Sequence, residues 1–152
     1  MRGAPVSQHS AAILKERGEA PEGKSAEQLS AEHVAWADLI LTMTMNHKRV
    51  IVHLHPDAME KTFTLKEYAY AGDEHTEQLS AERSELLAEL TTKKLLGQPI
   101  TDEEQVRLQE IDRQLPNLDV DDPFGGPLSV YRECADELAV EIVKTIEKLS
   151  AE

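Results

Sequence analysis

Residues 38–43, DLILTM, decide the fold class because they contain a short, nearly continuous apolar run. The run directly follows a helical pattern, and Thr44 after it can cap a further helix. A run of this length is typical of a strand buried on both faces of a parallel sheet. A core helix segment is the alternative, which the short length of the run disfavours.

Two helices are predicted before this run. Residues 3–18 form an amphipathic pattern with Pro5 in the first turn and Gly18 as a C-terminal stop. The second helix begins at Ser25 or Ser30, either of which can serve as an N-cap. Its predicted buried contacts are Leu29, Val34 and Trp36.

A helix and a strand are predicted after the run. The segment NHKRVIVHLH, residues 46–55, predicts a helix that Pro56 ends, and TFTL at 62–65 predicts a second strand. An order of helix, strand, helix, strand is typical of α/β folds. The sequence therefore predicts a small parallel sheet flanked by helices.

Residues 72–118 differ in character from the rest of the chain. They carry 11 acidic and 5 basic residues, and their leucines recur at helical spacing. Gly97-Gln98-Pro99 interrupts the pattern, and Thr101 with Glu104 forms a capping-box signature. This segment predicts an acidic helical hairpin inserted into the α/β domain that spans residues 1–152.

A long closing helix is predicted at the end of the chain. Its apolar positions repeat at steps of three and four residues, and such a helix normally packs across the sheet. These positions are Tyr131, Cys134, Ala135, Leu138, Ile142, Ile146 and Leu149.

The overall charge excludes some classes of partner. The 152 residues include 16 basic and 29 acidic side chains, a net charge of −13. Nucleic acid and anionic membranes would repel such a surface. No apolar run approaches the roughly 20 residues of a membrane span. The single cysteine, Cys134, cannot form an intramolecular disulfide, so a cytoplasmic location is expected.

Three features that could carry chemistry are better explained by structure. His53 and His55 point in nearly opposite directions on a helix, and with His47 they lack a carboxylate or cysteine that would complete a metal site. Cys134 lies on the apolar stripe of the last helix, as a buried structural thiol would. Gly125-Gly126 lacks the pattern of a phosphate-binding loop. No metal and no cofactor are predicted.

Asp122 in DVDDPFGGPL, residues 119–128, is the strongest catalytic candidate. Pro123 favours an extended backbone at Asp122, and Phe124 offers an apolar wall beside the carboxyl group. An acid in this setting suits protonation of a leaving group followed by deprotonation of water. The alternative is an Asp-Pro turn that simply precedes a helix.

Five segments together resemble the low-molecular-weight protein-tyrosine phosphatases, and most closely the bacterial branch that includes protein-arginine phosphatases. The resemblance covers nearly everything except the 72–118 hairpin. The segments are GAPVSQHSAAIL at 3–14, SAEQL at 25–29, WADLILTMTMNHK at 36–48, KTFTLKEYA at 61–69 and DVDDPFGGPLSVYRECADEL at 119–138.

The resemblance implies a function and two site residues. The family hydrolyses phosphorylated protein substrates through a phosphocysteine intermediate, on phosphotyrosine or phosphoarginine. The aspartate of its Asp-Pro motif is the general acid, which corresponds to Asp122. The aromatic residue that follows lines the mouth of the site, which corresponds to Phe124.

One departure from the family concerns the nucleophile. The family's loop reads Cys, five residues, then Arg, and follows a first, central strand. The residue six beyond Cys134 is Val140, so no nucleophile is predicted in this chain. We expect a start assigned too late or a truncated gene, with the central strand absent and the chain inactive. A non-catalytic interaction module that binds a protein partner through the hairpin is the alternative.

Overall fold

Two short strands, Ile40–Thr42 (β1) and Thr62–Thr64 (β2), pair in parallel, with Ile40 opposite Thr62. The structure is a computed structural model that describes residues 3–23 and 25–151. Within these residues the sheet has two strands, and helices flank it. The predicted fold class, a small parallel sheet with flanking helices, is confirmed.

The connection from β1 to β2 follows local signals in the sequence. Helix α3, Met45–Leu54, begins after Thr44, whose hydroxyl accepts the backbone N–H of His47 at 3.2 Å. Pro56 then opens a 3-10 helix, Pro56–Lys61, that leads into β2. A proline fits there because the first turn of a helix has no partner for its N–H.

Strand β2 is buried although two of its three residues carry hydroxyl groups. Thr62 and Thr64 have no exposed surface. Thr62 Oγ1 donates to the Ala58 carbonyl at 2.7 Å, and Thr64 Oγ1 accepts the N–H of Glu67 at 3.0 Å. The second bond starts helix α4, Leu65–Tyr70, directly at the end of the strand. Leu65, predicted as the last strand residue, therefore belongs to α4.

The first helix is shorter than predicted. Helix α1 spans Gln8–Glu16 and is capped by Ser7. Pro5 lies before it and forms an isolated antiparallel bridge with Ser25. Residues 3–5 are not helical because their backbone groups bond to residues 25–26, as in the 2.8 Å bond from Gly3 N–H to the Ala26 carbonyl.

The second helix buries only one of its three predicted contacts. Helix α2, Ala31–Trp36, is capped by Ser30, and its Val34 is 2% exposed beside Ile40 and Ala58. Leu29 lies before the cap and is 43% exposed. Trp36 is 86% exposed, because two residues of helix turn it about 200° away from Val34.

Residues Tyr70–Asn117 form a compact unit of their own. Its helices are α5, Glu74–Leu95, and α6, Asp102–Gln114. They run antiparallel, because Lys93 near the end of α5 pairs with Glu104 near the start of α6, and Arg83 pairs with Asp112. The Arg107 guanidinium donates to both carboxylate oxygens of Glu82, at 2.6 and 2.7 Å. The helices are those expected for a hairpin at 72–118; that the unit is an insertion in the family's domain stays a prediction.

The closing helix, α7, spans Leu128–Ala151, but its buried face differs from the predicted one. Tyr131 is buried, whereas Ile142, Ile146 and Leu149 are 45%, 56% and 47% exposed. The buried positions in that half are Glu141 and Thr145. A helix of 24 residues is about 36 Å long, and two strands about 4.8 Å apart cannot cover it.

Helices α1 and α7 pack against each other. His9 and Tyr131 make an edge-to-face contact with ring centroids 4.9 Å apart. The Arg132 guanidinium donates to both carboxylate oxygens of Glu16, at 2.7 and 3.0 Å. These contacts bring α1 beside the first turns of α7, which follow the Asp122 loop.

Candidate active site

The loop that carries Asp122, residues 119–127, begins at the carboxyl end of β1. The Val120 N–H donates to the Met43 carbonyl at 2.8 Å. Asp119 Oδ1 accepts the N–H of Met45, the first residue of α3, at 2.7 Å. A carboxylate at a helix N-terminus is stabilised by the free N–H groups and by the helix dipole. The root of the loop is therefore attached to the junction of β1 and α3.

The end of the loop is shaped by its glycines. Gly125 has a φ of +83°, a conformation that favours glycine. The Gly126 N–H donates to the Pro123 carbonyl at 2.9 Å. A Cβ on Gly126 would lie 3.1 Å from that carbonyl oxygen and 3.3 Å from Val130 Cβ. The turn after Asp122 therefore leaves little room for a side chain at position 126.

Asp122 is exposed, and its own turn orients its side chain. Asp122 Oδ1 accepts the Phe124 N–H at 3.0 Å, which closes a side-chain turn over Pro123. Across residues 3–23 and 25–151, no lysine, arginine or histidine forms an ion pair with this carboxylate. One oxygen is therefore held while the carboxyl group keeps access to a reactant.

A mainly apolar cavity of about 470 Å³ opens beside Asp122. Its volume lies within the usual range for ligand sites. Its polar rim includes Asp121, Asp122 and His47. The remaining lining residues come from α1, the β1–α3 junction, the loop and α7: Ser10, Ile13, Leu14, Met43, Thr44, Val120, Pro123, Tyr131, Cys134, Ala135 and Leu138.

Phe124 lies outside the lining of this cavity. Its side chain is 84% exposed, next to Asp122 in sequence but on the solvent side of the turn. An exposed aromatic ring beside an acid can contact a flat substrate group by stacking. Its role in lining the mouth of the site stays a prediction.

Cys134 lies in the cavity wall in surroundings that disfavour its thiolate. The Cys134 thiol donates a hydrogen bond to the Asp121 carbonyl, with sulfur and oxygen 3.6 Å apart. Burial raises the pKa of the Cys134 thiol above its ordinary value, and the carboxylates of Glu137, Asp122 and Asp121 raise it further, against a smaller opposing effect of Lys66. A nucleophilic cysteine needs the opposite shift.

The three histidines considered as metal ligands are dispersed along α3. His47 lies in its first turn at the cavity, whereas His53 and His55 lie at its far end. In the described part of the chain, no three metal-ligating side chains converge. The absence of a metal stays a prediction.

Two residues that sequence reasoning does not single out support the loop. Asp119 caps α3, and the Lys66 ammonium donates to the Asp119 carbonyl at 2.7 Å. The partners are separated by 74 and 53 residues in sequence. The one signal in the sequence is that DVDD begins with an acidic residue, Asp119. Its partner, the Met45 N–H, is known only from the fold.

The helices have no membrane-spanning character. Across residues 3–23 and 25–151, none combines the length and the apolarity needed to cross a bilayer.

Comparison with known proteins reveals related sequences over most of the chain. A profile of the family described as low molecular weight phosphotyrosine protein phosphatase matches residues 2–82. The chain is 32% identical over 150 residues to a protein-arginine-phosphatase of Geobacillus stearothermophilus, covering 99% of this chain and 71% of that protein. The profile match ends at residue 82, before the Asp122 loop. The match to the Geobacillus protein covers 150 of the 152 residues and therefore includes that loop.

Solved structures have the same fold. The YwlE arginine phosphatase from Geobacillus stearothermophilus has a TM-score of 0.66 at 32% identity, over 99% of this chain and 69% of that chain. A low molecular weight protein tyrosine phosphatase from T. tengcongensis has a TM-score of 0.63 at 30% identity, over 97% and 70%. The similarity extends to both arginine and tyrosine phosphatases.

Proposed function

The chain belongs to the low molecular weight phosphotyrosine protein phosphatase family, and we propose that Asp122 is the general acid of its reaction. By family the chain is a hydrolase, and its substrate class is a phosphorylated protein. The general acid is the part of that chemistry that this chain supplies from its own residues.

The proposed reaction has two steps. A cysteine thiolate attacks phosphorus and forms a phosphocysteine, while Asp122 gives its proton to the departing phenol oxygen or guanidine nitrogen. Water then attacks phosphorus while Asp122 takes a proton from that water, and the phosphorus–sulfur bond breaks to release inorganic phosphate and the cysteine thiolate. One carboxyl group thus serves as acid first and base second.

The observation that carries the proposal is the placement of the Asp122 carboxylate at the rim of the cavity. Its Oδ1 is held by the Phe124 N–H, and the loop before it is attached to the β1–α3 junction. A group that transfers a proton works best when its position is set before the substrate arrives. The Asp-Pro-Phe-Gly-Gly order and the geometry support the same residue.

The nucleophile is not among the 152 residues. Their one cysteine, Cys134, is followed six positions later by Val140 rather than arginine, and burial raises its pKa. The phosphate also requires a guanidinium and backbone N–H groups around it. We therefore expect the 152-residue chain alone to be inactive, with Asp122 acting when a family Cys-five-Arg loop is present.

The proposed substrates are proteins phosphorylated on tyrosine or arginine. Asp122 can protonate a phenolate oxygen or a guanidine nitrogen, so the acid alone is compatible with both. The DPFGG sequence favours the arginine-type branch. Parallel assays with a phosphotyrosine peptide and a phosphoarginine peptide distinguish the two. A reducing cytoplasm is the expected location, since the chain has a single cysteine.

The test uses the extended chain, defined as these 152 residues joined to a family segment with the first strand and the Cys-five-Arg loop. Asp122→Asn keeps the size of the side chain and removes its proton. Hydrolysis of aryl phosphates with poor leaving groups should fall by about 10²- to 10⁴-fold. Very acidic phenols should be affected less, because they depart without a proton.

Asp121→Asn is the matched control, since it removes a neighbouring carboxylate from the same cavity rim. It should have little effect. If Asp121→Asn loses activity and Asp122→Asn keeps it, the general acid is Asp121 and not Asp122. If neither substitution matters, DVDDPFGG is a structural turn only.

A second candidate function is binding of a protein partner through the acidic hairpin. The unit Tyr70–Asn117 has its own buried residues, Leu79, Leu90 and Ile111. Its excess of acidic residues suits a basic partner. The DNA immediately before Met1 distinguishes the two candidate functions. If it encodes, in frame, a strand followed by a Cys-five-Arg loop, the phosphatase is favoured over the binding module.

A further inference from the structure

Lys66 is buried at the first turn of α4, immediately after β2. Its relative exposure is 7%, although lysine is among the residues least often buried. A buried ammonium group requires partners that replace its hydration. The identity of those partners indicates what the residue does.

The Lys66 ammonium joins two elements that adjoin the cavity. It donates to the Asp119 carbonyl at 2.7 Å, at the root of the acid loop. It also forms an ion pair with the carboxylate of Glu137 on α7. Glu137 lies one helical turn after Cys134, whose thiol contacts the Asp121 carbonyl. Lys66 therefore connects the loop root to the helix that borders the loop.

The backbone reaches Asp122 three residues after the carbonyl that Lys66 holds. Asp119 is also bonded through its side chain to Met45, which places that end of the loop against α3. The Lys66 bond holds the carbonyl of the peptide that joins Asp119 to Val120, and the N–H of that peptide donates to the Met43 carbonyl at 2.8 Å. With these bonds present, the direction in which the chain leaves Asp119 toward Asp122 is set.

We propose that Lys66 is a positioning residue for Asp122, holding the acid loop against α7 through the Asp119 carbonyl. The part that concerns catalysis rests on the proposed role of Asp122 as the acid. Displacement of a reacting group by about 1 Å can cost about 10²-fold in rate. Loss of the Lys66 bond should therefore act on proton transfer more than on binding.

Lys61 provides a matched control elsewhere in the fold. Its ammonium also donates to backbone carbonyls, those of Val34 and Ala37, each at 2.8 Å. These bonds hold the end of α2 and do not involve the acid loop. Lys61→Met removes a comparable set of hydrogen bonds without the proposed positioning role.

The first experiment uses the 152-residue chain and does not depend on catalysis. Backbone amide order parameters for Asp121, Asp122 and Phe124 are measured by NMR relaxation in Lys66→Met, Lys66→Arg and Lys61→Met. In Lys66→Met they should fall from about 0.85 toward about 0.6. Lys66→Arg, which keeps a donor, should restore most of the order, and Lys61→Met should leave the loop unchanged. Equal loop order in Lys66→Met and Lys61→Met would overturn the proposal.

The second experiment measures leaving-group dependence in the extended chain. Lys66→Met should lower kcat/KM by about 10- to 100-fold for poor leaving groups, and by much less for acidic phenols, with KM nearly constant. In an Asp122→Asn background, Lys66→Met should cost little more, because the group it positions is already gone. An equal loss for all leaving groups would assign Lys66 a purely structural role.

The outcomes separate this inference from the proposed function. If Asp122→Asn is harmless, the general-acid assignment fails, while the order parameters still decide whether Lys66 holds the loop. If Lys66→Met does not fold, Glu137→Gln keeps the lysine and removes its anionic partner. A steeper leaving-group dependence in Glu137→Gln then supports positioning, and an unchanged dependence overturns it.

Discussion

The Met45 N–H donates to Asp119 Oδ1 over 2.7 Å, so the loop that carries Asp122 also caps the helix that follows β1. The two residues are 74 positions apart in sequence. Movement of the loop root would therefore expose an N–H group of α3, which couples the stability of that helix to the position of the candidate acid.

Asp119→Ala should reduce stability, because it removes the acceptor for the Met45 N–H. Loss of a helix cap costs about 1 kcal/mol, within a range of about 0.5–2 kcal/mol. Asp119→Asn keeps an oxygen acceptor at the same position and should lose less. Urea unfolding of the two variants measures the difference. If Asp119→Ala and Asp119→Asn lose the same free energy of unfolding, the hydrogen bond to Met45 makes no measurable contribution to stability.

The 152-residue chain should not hydrolyse an aryl phosphate above the buffer rate. Cys134 lacks the following arginine, and its raised pKa keeps the thiol protonated near neutral pH. Alkylation of Cys134 by iodoacetamide should accordingly require a higher pH than alkylation of an unstructured cysteine peptide. Turnover that disappears on alkylation would make Cys134 the nucleophile and contradict this expectation.

Deletion of residues 73–117, with the ends joined by a short linker, should spare activity in the extended chain. The segment forms the separate unit Tyr70–Asn117, which has buried residues of its own, Leu79, Leu90 and Ile111. We expect kcat/KM to change by less than about tenfold, or about 1.4 kcal/mol. The control is Asp122→Asn in the shortened chain, which should lower kcat/KM as it does in the extended chain if the chemistry is unchanged. A larger loss would make the hairpin part of the active site.

The hairpin should lose stability in acid. Hydrogen bonds from the Arg107 guanidinium lower the pKa of Glu82, and those from the Lys93 ammonium, followed by the Thr101 backbone, lower the pKa of Glu104. Because the folded pKa values lie below the unfolded value of about 4.3, this stabilisation is fully present above that pH. It is lost as the pH falls through the folded values.

NMR amide shifts of residues 74–114, followed from about pH 6 to about pH 3, measure this loss. Glu82→Gln should weaken the pH dependence. Glu85→Gln is the control, since Glu85 forms no ion pair among residues 3–23 and 25–151. Identical acid transitions in both variants would show that the Glu82–Arg107 pair does not stabilise the hairpin.

The sequence by itself determined the elements whose signals are local. Thr44 caps α3, Thr101 and Glu104 cap α6, and Pro56 ends α3, each within four residues of the backbone groups concerned. The apolar run that contains β1 needs no partner to be recognised as buried. These signals were sufficient for the α/β class, because helix caps and strand patterns act over a few residues, whereas the family was indicated by the resemblance of the quoted segments.

Only the tertiary structure decided which faces are covered and what surrounds Asp122. Trp36 and the second half of the α7 stripe have the apolar character of a core, yet they are exposed, because burial depends on what lies opposite. Lys66 and Asp119 have the polar character of a surface, yet they join α4, α3 and the acid loop. Their bonds span 53 and 74 residues, and a contact at such separation forms only when the whole fold brings the partners together.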